Sequence, residues 1–211
     1  MASSRESGFS LLELTTVLGI SVTLTAVFAL AYQPLIQQQH VTDAYNMTLT
    51  ALRRAHDQAE ADMRVYEVQF IAPNPGVNGG TITASQVTGG APVQLFSVSL
   101  PSDVTFHIEP GIPTSPSTPP TTPDGFGSAA NFFDLDQSPS GTGGGSVVYF
   151  YPNGSAQNAG PPAGGVNNGV VYLGMPGKLS SCRALTLWGY TGRIRGWRLS
   201  QKGAQWQWVE N

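Results

Sequence analysis

The chain has 211 residues, 40% hydrophobic and only 11% charged, with 25 Gly, 16 Pro and a formal net charge of −3. That length suits one domain of ordinary size plus an extra segment, and the slight acidity argues against wholesale nucleic-acid binding. Cys182 is the sole cysteine, so an intrachain disulfide is excluded.

A polar leader, residues 1–8, ends in Gly8 and is followed by Phe9-Ser10-Leu11-Leu12-Glu13-Leu14; the apolar run then continues to Tyr32. This stretch reaches the ~20 residues that a helix needs to cross a bilayer core. Its twelve Phe, Leu, Val and Ile residues contribute about −0.5 kcal/mol each on insertion, roughly −6 in total, against about +3 for one acid. Insertion is favoured, and Glu13 retains a cost that a positive partner removes. Opposite charges ~4 Å apart gain about 4 kcal/mol at an effective dielectric near 20.

Gly8 followed by Phe9-Ser10-Leu11-Leu12-Glu13-Leu14 resembles the class III signal of type IV pilins and type II secretion pseudopilins. The resemblance implies that prepilin peptidase cuts between Gly8 and Phe9 at the inner membrane and methylates the new Phe9 amine. It also implies that Glu13, fifth in the mature chain, pairs with the amine of a neighbouring subunit as a filament assembles. Three other readings compete. Ala29-Leu30-Ala31 supplies a small-x-small site for ordinary secretion, but Arg5 and Glu6 cancel in the leader, the apolar stretch is long, and Glu13 would burden a disposable peptide. A plain uncleaved anchor and a buried core helix are the others; the second lacks a downstream region large enough to surround the run.

Residues 33–64 continue as an amphipathic helix. Pro34 removes a backbone donor and is expected to bend it. Val41, Tyr45, Leu49, Leu52, His56, Ala59 and Met63 then recur at three- and four-residue spacing, which predicts one buried stripe, packed against the protein's own sheet or, alternatively, a partner helix. From residue 65 to 211 the period changes to two. Tyr66, Val68 and Phe70 alternate with Glu67 and Gln69 before a Pro-Asn-Pro-Gly break. Further short strands are predicted at 81–87, 93–100, 104–108, 147–151, 170–173, 184–188, 193–199 and 205–209. The segment 109–124, rich in Pro, Thr and Ser, is expected to be a flexible exposed insertion, and the Gly-rich 138–146 to be mobile.

The predicted fold class is therefore α+β, a long N-terminal helix, transmembrane then amphipathic, packed on an antiparallel β-rich head. The order Tyr149-Phe150-Tyr151-Pro152-Asn153-Gly154, Gly169-Val170-Val171-Tyr172-Leu173, Leu185-Thr186-Leu187-Trp188 and Gly192-Arg193-Ile194-Arg195 is similar to the GspH/FimT domain. That resemblance implies a pilin-like fold and a minor pseudopilin of the type II secretion pseudopilus, with other pilin or pseudopilin subunits as partners and the head in the periplasm. The alternative it implies is a FimT-like minor pilin, active in pilus assembly or DNA uptake. Many major pilins carry a cysteine pair; the lone Cys182 departs from them and reads as a small packed hydrophobe.

Six of the ten basic residues lie between Lys178 and Lys202. Arg193, Arg195, Arg198 and Lys202, interleaved with Trp197, Trp206 and Trp208, form a candidate DNA contact by phosphate pairing and stacking. The competing reading puts Arg193 and Arg195 on one solvated face with the tryptophans packed inward. No motif for an enzyme is found: His40, His56 and His107 are scattered, and there is no nucleophile elbow, phosphate loop or metal-ligand spacing. Asp134-Leu135-Asp136 is a weak calcium candidate without EF-hand spacing. No cofactor is expected.

Overall fold

In a computed structural model of the protein, the described residues are 10–74, 76–113, 133–135, 145–162 and 164–211, with the side chains of 29–31 and 134 outside that set. The predicted leader 1–8, Phe9 and most of the 109–124 and 138–146 segments lie outside it as well. Two compact units are distinguished, Met1–Gln39 and His40–Asn211.

One helix, α1, spans Leu11–Asp62, 52 residues, and continues through Pro34. It ends where Met63 takes φ 53° and the Arg64 N–H donates to the Ala59 carbonyl at 3.3 Å. This is a Schellman-type stop built on a non-glycine residue. Met63, predicted to lie on the buried stripe, is therefore beyond the helix and 75% exposed.

Among the described residues of the second unit, ten strands form two wholly antiparallel sheets. They are β1 Tyr66–Ile71, β2 Thr81–Gln86, β3 Val93–Ser99, β4 Phe133–Asp134, β5 Val147–Phe150, β6 Ala156–Gln157, β7 Gly169–Leu173, β8 Arg183–Trp188, β9 Arg193–Lys202 and β10 Gln205–Glu210. Sheet one runs β3-β2-β1-β5-β6 and sheet two β10-β9-β8-β7-β4. The alternation in β1 places Tyr66, Val68 and Phe70 inward, opposite Ala84 and Ile82 of β2.

The segment predicted as a strand at 104–108 makes only an isolated bridge, Thr105 to Gly174. Its N–H groups go to different places: Val104 donates to Pro101 and Phe106 to Gly79, whereas Thr105 and His107 donate to Gly174 and Tyr172. Divided between partners on either side, it builds no ladder.

From Val41 to Ala59 the helix buries Val41, Ala44, Tyr45, Thr48, Ala51, Leu52, Ala55 and Ala59. The apolar members join one core with Val68, Phe70, Ile82 and Phe150 of sheet one and Val171, Leu173, Leu185, Leu187 and Ile194 of sheet two. Small residues make that approach close. A Cβ on Gly196 of β9 would lie 1.6 Å from the Tyr45 hydroxyl oxygen, so only glycine lets this helix side chain lie on the strand.

Sheet two is buried on its other face too. Val170, Tyr172, Cys182, Ala184, Trp197, Leu199 and Trp208 form a second cluster with Ile112, and the Trp208 indole donates to the Pro113 carbonyl at 2.8 Å. Glu109 accepts the Gly177 N–H at 2.9 Å. Residues 109–113, predicted as the start of the flexible insertion, are thus a packed cover, because Ile112 and the Trp208 indole give them the apolar and polar partners that their composition alone does not.

Gly196→Ala is expected to destabilise the full-length protein by about 1–3 kcal/mol through overpacking, read as a lowered denaturation midpoint in detergent. Adding Tyr45→Phe, which removes the clashing oxygen, should recover part of the loss.

Candidate functional site

The N-terminal part of α1 is apolar enough to cross a membrane, with mean hydropathy 2.0 in its best window. Every described side chain from Ser10 to Phe28 is exposed. Its five hydroxyls find partners within the helix: Thr15 and Thr16 donate to the Leu12 carbonyl, Ser21 to Val17, Thr23 to Ile20 and Thr25 to Ser21, at 2.7–3.0 Å. With those groups satisfied internally, none opposes transfer into lipid.

Glu13 sits in the first turn of α1. Its Oε2 accepts the Ser10 N–H at 3.4 Å, while the Ser10 carbonyl accepts the N–H groups of Glu13 and Leu14. This is half of a capping box, a role legible in the Ser-x-x-Glu spacing but not predicted. A negative group here complements the helix dipole. One long bond leaves most of the carboxylate's acceptor capacity unused among the described residues. Gly8 and Phe9 lie outside those residues.

The four candidate DNA-contacting residues all fall on β9. The pleat separates them. Arg193 and Arg195 project on the side of Trp197 and Leu199, whereas Arg198 and Lys202 share the opposite side with Ile194 and Gly196. Arg195 lies 3.5 Å from the Glu210 carboxylate. Arg198 stands directly across from Arg183. Burial first, and then the Arg198 charge, push the Arg183 pKa down. Trp197 and Trp208 are not stacking platforms: both are buried, and the Trp197 indole donates to Thr186 Oγ1 at 2.8 Å; Trp206 is partly buried against the same cluster.

Each histidine belongs to a local contact. His40 Nδ1 is 2.7 Å from Asp103 Oδ2, and His107 Nε2 is 2.9 Å from Glu109 Oε2. His56 Nε2 is 3.2 Å from the Gly154 carbonyl, and its ring packs edge-on against Phe150. Among the described residues no group of three or more His, Cys, Asp or Glu could hold a metal. Asp136 and the Asp134 side chain are outside that set.

At the end of α1, Asp62 accepts hydrogen bonds from the Tyr66 hydroxyl at 2.5 Å and from Gln58 at 2.8 Å. These bonds hold its carboxyl below the usual range. Burial first, and then the Asp62 contact, push Tyr66 up to about 12. The pair braces the helix stop.

No protein-family model matches this chain, and no curated protein matches it. Among solved structures the chain is similar to the type IV minor pilin FimU of Pseudomonas aeruginosa strain PAO1. Identity is 16% and the TM-score 0.37, over 77% of this chain and 89% of that one.

Cys182 is buried, and desolvation pushes its thiol up to about 11. Since the thiolate is the nucleophile, iodoacetamide at pH 8 should leave the folded protein unmodified and label it stoichiometrically after denaturation. The raised pKa also contributes stability that is complete below pH 9 and lost as pH rises to about 11. Cys182→Ala should flatten that alkaline decline in a pH series of unfolding midpoints.

Proposed function

We propose that this chain is a non-enzymatic filament subunit, processed between Gly8 and Phe9, anchored in the inner membrane by residues 9–32 and exposing the 65–211 head to the periplasm. The observation that carries the reading is Glu13. It is the only Asp, Glu, Lys or Arg between Glu6 and Asp43, and it sits in the first turn of an exposed apolar helix. A carboxylate retained in a lipid-length run needs a cation that enters the same low-dielectric environment, since an unpaired buried charge is far costlier than a paired one. The freshly cut amine at Phe9 of a neighbouring copy supplies a cation at matching depth.

The particular machine we favour is the type II secretion pseudopilus, with this chain as a GspH-like minor pseudopilin. The support is the class III signal together with the C-terminal strand and turn order. Prepilin peptidase and other pseudopilin subunits are the partners this requires. The role is mechanical: apolar helices bundle in the filament and the β-rich heads form its surface.

The alternative is a FimT-like minor pilin that contacts DNA. On β9 the four basic residues divide two and two, Arg193 with Arg195 and Arg198 with Lys202, so phosphate pairing rests on one pair, for which we take Arg193 and Arg195 of the Gly192-Arg193-Ile194-Arg195 run, rather than on all four. If this alternative holds, Arg193→Ala with Arg195→Ala should abolish an electrophoretic shift of duplex DNA that Arg198→Ala leaves intact. Absence of a shift with the parent protein removes it.

Intact-mass measurement of the membrane-extracted protein should find a chain beginning at N-methylated Phe9. A start at Tyr32 would replace the proposal with ordinary secretion, and retention of residues 1–8 in cells with an active peptidase would refute processing. Glu13→Ala should abolish incorporation into filaments while leaving membrane insertion unchanged, because it removes the acid without shortening the apolar run.

A further inference from the structure

We infer that a groove between α1 and the edge of β3, which has no further strand beside it among the described residues, receives an extended strand from a partner polypeptide carrying one acidic and one basic residue on the same face. The inference concerns the His40–Asn211 unit alone and does not depend on the filament reading.

The groove has a volume of about 540 Å³ and is lined by Asp43, Met47, Ala51 and Arg54 of α1 and by Phe96 and Val98 of β3. Phe96 and Val98 stand opposite Ala84 and Ile82, on the face of sheet one that turns to the helix. Val68 and Phe70 of β1 and Ile82 and Ala84 of β2 are fully buried in the core they share with the helix, whereas Phe96 and Val98 remain half-buried and Met47 is 39% exposed. A further strand beside β3 would occupy the next position in the sheet. Its inward side chains would meet the flank of α1.

The four sheet edges differ in a way that singles out β3. β4 and β6 have two residues each, and β10 carries Glu210, paired with Arg195. β3 has seven residues without a charge, and Val93 and Leu95 are 53% and 42% exposed. Edges of that length are ordinarily blunted by charges or prolines because their outward N–H and C=O groups recruit another strand. A bulge at Ala84/Ser85 perturbs only the start of β3; Phe96 to Ser99 keep regular register with β2.

Charge defines the occupant. The Arg54 guanidinium lies 4.7 Å from the centroid of the Phe96 ring and meets no carboxylate among the described residues. That stacking holds a cation at one end of the groove, and Asp43 supplies an anion at the other. Along α1 these two are separated by about 16 Å, a span that residues four apart on one face of a strand approach with long side chains. Backbone pairing then supplies affinity and the two charges supply selectivity, as in other cases of strand addition.

The test uses the full-length protein in detergent micelles and a fluorescein-labelled synthetic peptide with the core Lys-Thr-Val-Thr-Asp. Anisotropy should saturate, and hydrogen exchange at Gln94–Ser99 should slow on binding. Arg54→Glu should weaken binding about tenfold and favour a Lys-Thr-Val-Thr-Lys core instead. Arg54→Gln, with only the charge removed, should give an intermediate loss if the Glu variant fails to fold. Lack of saturable binding, or binding indifferent to residue 54, would overturn the inference. Slowed exchange in β3 that rises with protein concentration and no peptide would also overturn it, by assigning the edge to a second copy.

Discussion

The close seating of the helix from Val41 to Ala59 against two sheets organises the second unit. Ala44, Ala51, Ala55 and Ala59 are each buried to within a few per cent, and they let the backbone approach while Tyr45, Leu52 and Val41 reach between the strands. The bare Cα of Gly196 completes the fit at Tyr45. Both sheets contribute to this one core, so the helix is the element around which they are joined. Interiors packed at this density tolerate neither a lost methylene nor an added one without a cost.

The same helix meets two solvation demands along its length. Up to Phe28 its described side chains are exposed and, Glu13 and five hydroxyls apart, apolar, with each of those hydroxyls turned back onto the helix backbone. Beyond His40 one side is buried and the other carries Asp43, Arg53, Arg54 and Asp57. Glu13 belongs to the first regime by position and to the second by chemistry. Its acceptance of the Ser10 N–H satisfies only part of it, and an ionic partner is the physical complement to what remains.

Sheet two shows how a β-rich domain with little charge buries aromatic residues on two sides. Val171 and Leu173 face the helix, and Val170 and Tyr172 face the cover formed around Ile112. All five residues of β7 are consequently buried. Each buried indole has a hydrogen-bond partner, Thr186 for Trp197 and the Pro113 carbonyl for Trp208, as groups removed from water require. The arginines of β9 are distributed by the same pleat and serve two different surroundings.

Period and punctuation made the strands β1, β2, β3, β5 and β7 to β10 legible, because half-buried strands alternate and Gly, Pro and Asn end them. The two-residue β4 and β6 were not legible, since two residues carry no period. Ala44, Thr48, Ala51 and Ala55 of the buried helix face were missed, unlike Ala59, because small side chains do not register as apolar anchors. The 104–108 segment alternates like a strand, and only the positions of Gly79, Tyr172 and Gly174 reveal that its hydrogen bonds are divided. Local sequence thus determined an apolar run of membrane length with one acid, and the strand periods that follow it. Tertiary structure decided which faces were covered, that the basic residues of β9 part company, and that β3 lies at a sheet edge among the described residues. A period of two states that a strand has two faces, but what packs on each depends on residues distant in the chain.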